Sequence, residues 1–186
     1  RVIGGYPVAV KPAHGGSAMG VHRVDSVDEL GEAILDALSF DEAVVVEQWV
    51  EGVEMAVSVL GTGWDAYALP PVEIVAKSGR YDTEARMTPG AVEYFAPVRP
   101  ASLAQDEADA QAIRAEIERA ALEVYRAYQV RDLARIDLIW DGAQARAFEV
   151  TVSPGMAEHS LFPTACAAAG LSLPKVLDSL VSQYAR

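Results

Sequence analysis

Apolar positions along this chain repeat at two spacings: every second residue in some stretches, every third or fourth in others. Residues 6–10 form a short apolar run ending at Lys11-Pro12, and residues 21–24 read as a returning strand. The glycine-rich Ala13-His14-Gly15-Gly16-Ser17-Ala18-Met19-Gly20 between them predicts a hairpin with a flexible tip. Ser26-Val27-Asp28-Glu29 has the spacing of a capping box, and Leu30, Ala33, Ile34, Ala37 and Leu38 follow at helical intervals. Strands are predicted over 43–49, 53–60, 66–69, 72–75 and 91–95, the first two closed by Glu51-Gly52 and Gly61-Thr62-Gly63. Residues 76–88 are polar, follow neither period, and read as a long mobile loop. An amphipathic helix over 106–128, acidic in its first turn, lines up Ile113, Ile117, Ala121, Val124 and Tyr128 on one stripe. That stripe would serve a core or a homodimer equally well. Residues 133–140 and 145–152 make a hairpin across Asp141-Gly142, and helices over about 160–169 and 173–184 end the chain. Antiparallel hairpins covered by helices make this an α+β chain.

Composition narrows the function classes. The 186 residues are 51% apolar and 23% charged, enough to bury one ordinary core or two small ones. No apolar run reaches the ~20 residues a membrane-spanning helix needs. The opening Arg1-Val2-Ile3-Gly4-Gly5-Tyr6 is unlike a signal peptide, so a cytoplasmic protein with no membrane partner is expected. Cys166, the single cysteine, sits in a run of small apolar residues and reads as a buried helix cysteine. A net charge of −12, with fifteen dispersed Lys and Arg, disfavours nucleic acid as a partner. Anionic small molecules remain open, because a site can gather a few cations locally.

The second hairpin is the most informative region chemically. Strand alternation puts Ala134, Ile136, Leu138 and Trp140 on one face and Arg135 and Asp137 on the other. On the returning strand Glu149, Thr151 and Ser153 oppose Phe148, Val150 and Val152. Joining the strands in register brings Asp137 and Glu149 together, and two carboxylates repel unless a positive group lies between them. A hard cation such as Mg²⁺, bridging to phosphate, answers this, with Arg135 neutralising a phosphate or acyl-phosphate charge. From spacing alone, a solvated face with an Arg–Asp pair is equally good. The loop that follows, Ser153-Pro154-Gly155-Met156 and then His159-Ser160-Leu161-Phe162-Pro163, opens a helix whose free N–H groups suit a carboxylate. Lys11 with the glycines after it can approach phosphate, yet by itself reads as an ordinary hairpin turn. Glu47, able to accept ribose hydroxyls, by itself reads as a surface glutamate at a strand end.

Taken in order, these pieces resemble the successive motifs of the D-alanine–D-alanine ligase family. They are Lys11-Pro12-Ala13-His14-Gly15-Gly16-Ser17-Ala18-Met19-Gly20-Val21, Val46-Glu47-Gln48-Trp49-Val50-Glu51-Gly52-Val53-Glu54, Arg135-Ile136-Asp137, Glu149-Val150-Thr151-Val152-Ser153-Pro154-Gly155-Met156, and His159-Ser160-Leu161-Phe162-Pro163. The resemblance implies an ATP-grasp fold, in which two α+β subdomains hold a nucleotide. It implies ATP and Mg²⁺ (or Mn²⁺ in its place) as cofactors, and two D-alanines joined through an acyl phosphate for peptidoglycan precursor synthesis. Lys11, Gly16, Ser17 and Arg86 would then contact ATP phosphates, while Glu47, Trp49, Val50 and Glu54 would surround the adenosine. Asp137, Glu149 and Thr151 would hold the metal. Arg135, Ser17 and Gly155 would form the catalytic set, and Arg135, Gly155, Ser160 and Leu161 would contact the substrate.

This chain departs from the family at several of those positions. Thr151 stands where the family has a metal-binding asparagine. Tyr81-Asp82-Thr83-Glu84-Ala85-Arg86-Met87 keeps the frame of the family's Tyr-Asp-Tyr-x-Ala-Lys-Tyr loop, but Met87 lacks the hydroxyl of the family's last tyrosine. These changes motivate two alternatives, a ligase for another amino-acid or hydroxy-acid acceptor and a non-catalytic paralogue. The family's amino-terminal substrate domain has no counterpart here, so the chain reads as a fragment. Residues 1–50 are expected to belong to the central subdomain and 51–186 to the carboxy-terminal one.

Overall fold

The computed structural model describes residues 4–185, so Arg1, Val2 and Ile3 of the opening stretch lie outside the described residues. The described chain forms two compact units, residues 4–51 with Val75–Glu93, and Gly52–Ile74 with residues 94–185. Val75–Glu93, expected with the carboxy-terminal part, groups with the first unit.

The first unit holds a three-stranded antiparallel sheet of β1 (Val8–Pro12), β2 (His22–Val24) and β3 (Val44–Gln48), in the order β2–β1–β3. Helix α1 (Val27–Leu38) covers one face. Val8, Val10, Val44 and Val46 pack with Ala33 and Ala37 of that helix, which leaves Ala9, Lys11, Val45 and Glu47 for the opposite face. The capping box forms only in part. Ser26 is the N-cap, but its side chain makes no capping bond, and Glu29 reaches past it to accept the Asp25 N–H at 3.0 Å.

Residues 76–88, expected as a loop, contain a short helix, α2 (Thr83–Met87). Asp82 starts it by accepting the Ala85 N–H at 2.9 Å, and Ala85 is buried beneath it. Five residues are too few to display a period, so the cap was the only available signal.

A second sheet, mostly in the second unit, is made of β4 (Val53–Leu60), β6 (Val72–Ala76), β7 (Val92–Phe95), β8 (Leu133–Trp140) and β9 (Ala145–Thr151), ordered β7–β6–β4–β8–β9, with β4, β6, β8 and β9 paired antiparallel. The two-residue β5 (Tyr67–Ala68) pairs beside β4. Helix α4 (Glu107–Ala127) lies on one face, where Ile117, Ala121 and Tyr125 pack against Met55, Val57, Val59, Ala134, Ile136, Leu138 and Trp140. Each large apolar side chain fully buried this way contributes roughly 1.5–3 kcal/mol. The stripe ends differently from the expected one. Tyr125 continues the four-residue interval from Ile117 and Ala121 and donates its hydroxyl to the Gly61 carbonyl at 2.6 Å, whereas Tyr128 is the exposed C-cap. Burial, with the Asp132 charge adding to it, pushes the Tyr125 phenol up to about 12.

Helix α5 (Leu161–Ala168) packs near β4 and buries Cys166, whose thiol that burial pushes up. Helix α6 (Leu173–Tyr184) follows, and the short α3 (Pro100–Leu103), not foreseen, precedes α4. Among the described residues no single helix is long and apolar enough to cross a membrane.

One polar cluster also escaped the sequence reading. Glu73 of β6 is buried and accepts two bonds from the Arg99 guanidinium (3.0 and 2.7 Å), one from the Arg99 N–H (3.2 Å) and one from the Ser102 hydroxyl (2.7 Å). Burial alone would raise the Glu73 carboxyl. The Arg99 and Ser102 bonds more than offset it and hold the group below the ordinary carboxylate range.

Candidate active site

In the first unit, the face of the sheet opposite α1 carries a close ion pair, Lys11 Nζ to Glu47 Oε1 at 2.6 Å. The β1–β3 register pairs Ala9 with Glu47 and Lys11 with Val45, so the two charged residues are diagonal neighbours on one face. Beyond β3, Trp49 is held at both its edge and its face. Its indole N–H donates to Glu51 at 2.9 Å, and the Arg23 guanidinium, paired with Asp25 and Glu51, sits 5.4 Å from the ring centre.

The glycine-rich tip is a tight turn, with Met19 N–H donating to the Gly16 carbonyl at 3.2 Å. Ser17 and Ala18, its two central residues, both have left-handed φ, 57° and 59°. On α2, Arg86 lies over the Tyr81 ring at 3.9 Å. Lys11, Gly16, Ser17, Glu47, Trp49, Val50 and Arg86 all fall in this first unit.

In the second unit, the β8–β9 hairpin builds the other cluster, and a bulge is what builds it. Trp140 pairs with Ala145 and Leu138 with Ala147, but Asp137 pairs with Glu149, leaving Phe148 as the extra residue. Without that insertion Asp137 would face Phe148, and Glu149 would turn to the core side beside Ile136. The bulge therefore brings the predicted polar residues together while Ile136 and Leu138 stay in the core.

The resulting geometry is a bidentate pair, Arg135 Nε to Asp137 Oδ1 at 2.6 Å and Nη2 to Oδ2 at 2.7 Å. Arg135 Nη2 also donates to the Thr151 hydroxyl at 3.2 Å, and that hydroxyl donates to Glu149 at 3.1 Å. Asp137 is buried, while the Glu149 side chain is 43% exposed and lies 4.0 Å from Arg135. Two carboxylates against one guanidinium leave the cluster net negative. That charge, with a hydroxyl and one exposed carboxylate as hard oxygen donors, fits a divalent cation such as Mg²⁺. Among the described residues no three His, Cys, Asp or Glu side chains gather into a metal site of their own.

Sequence reasoning passed over Ser58, which pairs with Arg135 across β4 and β8. It is fully buried, and among the described residues its hydroxyl has no hydrogen-bond partner. A lone serine in the apolar run of β4 gave no signal. Glu54 alternates onto the same face of β4 as Ser58. In the loop after β9, Ser160 leans against Gly155, where a Cβ would meet the Ser160 hydroxyl at 3.0 Å. Ser160 is the N-cap of α5, with no capping bond from its side chain. Leu161 is buried, so any ligand contact there would be through its backbone.

The hairpin turn yields a pH prediction. The Asp141 carboxylate accepts bonds from Arg146, Gln144 N–H and Ala143 N–H, which hold it at about 2. A depressed pKa stabilises the fold above the ordinary value of 3.8 and loses that contribution as pH falls through about 2. Melting curves of Asp141→Asn and the parent should therefore separate at pH 5 and converge toward pH 2.

These pieces belong together in a known family, as comparison with other proteins establishes. The family model described as D-ala D-ala ligase C-terminus matches residues 3–182. The chain belongs to this family. It is 39% identical over 183 residues to the D-alanine–D-alanine ligase of Bordetella petrii, covering 97% of this chain and 53% of that protein. It is 40% identical over 167 residues to the ligase of Alcanivorax borkumensis, covering 89% and 50%. Among solved structures, it resembles the VanG D-Ala:D-Ser ligase from Enterococcus faecalis with a TM-score of 0.78 at 29% identity, over 97% of this chain and 50% of that one. The D-alanine–D-alanine ligase from Bacillus anthracis complexed with ATP gives 0.73 at 26% identity, over 96% and 52%. The chain spans about half the length of the curated relatives it matches. Its fold is the ATP-grasp fold of these D-alanine–D-alanine ligases.

Proposed function

We propose that this chain supplies the ATP-binding and acyl-transfer portion of a D-alanine–D-alanine ligase. The observation that carries the reading is the β8–β9 cluster, where a bulge gathers Arg135, Asp137, Glu149 and Thr151 on one face. In the first unit, Lys11, Gly16, Ser17 and Arg86 bind ATP phosphates, and Glu47, Trp49 and Val50 contact the adenosine. Glu54, on β4 of the second unit, is a further residue that the family resemblance implies for the nucleotide. Asp137 and Glu149, with Thr151 contributing a hydroxyl, would hold Mg²⁺, which would neutralise phosphate charge.

The carboxylate oxygen of one D-alanine attacks the γ-phosphorus of ATP, giving an acyl phosphate and ADP. The neutral amine of a second D-alanine then attacks the acyl carbon. Collapse of the tetrahedral intermediate releases phosphate, and the attacking nitrogen gives up its proton to the departing phosphate. Arg135 is a permanent cation whose fork suits the acyl phosphate and the oxyanion. Asp137 fixes that fork in orientation. The Ser160 hydroxyl and the amides at the start of α5 receive the acceptor carboxylate, with Gly155 leaving room for Ser160. The product is a peptidoglycan precursor, and its synthesis belongs in the cytoplasm.

Met87 favours a second reading in which the acceptor differs from D-alanine. It is 68% exposed at the position where the family has a tyrosine hydroxyl. One assay separates the two. Full-length polypeptide with ATP and Mg²⁺ should release ADP when D-alanine is added, with the dipeptide forming in equal amount. No D-alanine-dependent release from folded protein would reject the first reading, and release with another amino or hydroxy acid would establish the second.

A further inference from the structure

The glycine-rich tip contains a conformation that its own residues disfavour. Two successive left-handed residues at the centre of a tight turn are the φ signature of type I′, which Asn-Gly and Gly-Gly adopt readily. This chain places Ser17 and Ala18 there. For residues with a Cβ, a left-handed conformation costs on the order of 1 kcal/mol or more each, and it persists only where the surroundings impose it. The turn's own Met19-to-Gly16 bond, at 3.2 Å, is long and neutral.

A second constraint comes from far away in sequence. The Thr83 hydroxyl, at the first position of α2, donates to the Ser17 carbonyl at 2.8 Å across 66 residues. Asp82 fixes where Thr83 stands by capping the same helix. Both partners lie in the first unit. The bond thus joins the strained peptide of the glycine turn to the short helix that carries Arg86.

We propose that Thr83 is a positioning residue, its hydroxyl clasping the Ser17 carbonyl so that the glycine turn and α2 take up their phosphate-binding conformations together. The inference rests on the nucleotide reading above and adds to it a specific coupling between the two segments. Without the clasp, residues 16–19 relax toward right-handed conformations and their amides open. Nucleotide phosphates then have to pay for the ordering that Thr83 otherwise supplies.

The test is amide hydrogen exchange over residues 13–20 in the intact protein, first without nucleotide and then with Mg-ATP, for the parent, Thr83→Val and Thr83→Ser. Valine keeps the shape and removes the donor; serine keeps the donor. One neutral hydrogen bond corresponds to about a 2- to 10-fold change in local opening. Without nucleotide, Thr83→Val should exchange faster by that factor over residues 16–19 while its melting temperature stays near the parent's, and Thr83→Ser should restore parental exchange. With Mg-ATP, the valine variant should bind more weakly by a similar factor. Equal exchange in all three proteins would overturn the clasp, as would acceleration that serine fails to reverse. If the exchange pattern appears as expected but none of the three binds Mg-ATP, the clasp stands and the nucleotide reading fails.

Discussion

Replacing Asp137 by alanine is expected to lower D-alanine-dependent ADP release by the full-length polypeptide about 10²- to 10³-fold, the usual loss when one electrostatic contact to a reacting group is removed. Two effects combine. The carboxylate is the better buried of the two acids in the β8–β9 cluster and the more strongly organised, since both its oxygens accept from Arg135. Its removal takes the bidentate partner from a guanidinium that is only 12% exposed, and Glu149 lies 4.0 Å from that guanidinium. Arg135 is then expected to swing toward Glu149, which misaligns the fork and neutralises the other carboxylate proposed to hold the metal. Asp137→Asn keeps one acceptor for Arg135 but loses the charge, so it should hold the arginine while still failing to support turnover. The check is steady-state ADP release with folding monitored by circular dichroism. Turnover within about threefold of the parent, on a scale where one lost contact costs a hundredfold or more, would remove Asp137 from the mechanism.

Gly52→Ala is expected to be the most damaging single substitution to stability, destabilising the second unit by about 4 kcal/mol or more, in the range reserved for specific structural lesions. Gly52 has φ of 157°, and a Cβ there would lie 2.1 Å from the Trp140 carbonyl oxygen and 2.8 Å from Ile139. The clash is with backbone at the end of β8, so no side-chain rotation relieves it. Trp140 is itself a core residue packed with α4. Urea unfolding measured by tryptophan fluorescence gives the comparison. A loss below about 1 kcal/mol, the centre of the range for ordinary substitutions, would show that β4 and β8 tolerate separation at that end.

How far the sequence revealed this arrangement depended on the range of each signal. Strand β4 and the β8–β9 hairpin were legible because their alternation is local and Asp141-Gly142 marks the turn. The pairing of Asp137 with Glu149 was also anticipated, but not the bulge at Phe148 that makes it possible, since nothing in an alternating string shows which residue the ladder will skip. Helix α2 was hidden because a five-residue helix relies on one cap, Asp82, rather than on a period. On α4 the interval from Ile117 through Ala121 leads to Tyr125, whereas Tyr128 lies past the point where the helix ends. Glu73 with Arg99 was invisible because 26 residues separate the partners. The same holds for Thr83 with Ser17. The candidate site itself was readable as an ordered set of motifs, while the hydrogen bonds that orient each side chain were not.

The central claim is that these residues serve a ligase working through an acyl phosphate, and oxygen tracing tests it most directly. Full-length polypeptide would be given ATP, Mg²⁺ and D-alanine labelled with ¹⁸O in both carboxyl oxygens, and the inorganic phosphate analysed by mass spectrometry. One labelled oxygen is expected in each phosphate released, because the carboxylate oxygen that attacks phosphorus leaves with it when the amine displaces phosphate. Dipeptide formed with unlabelled phosphate would contradict the mechanism assigned to Arg135 and its neighbours.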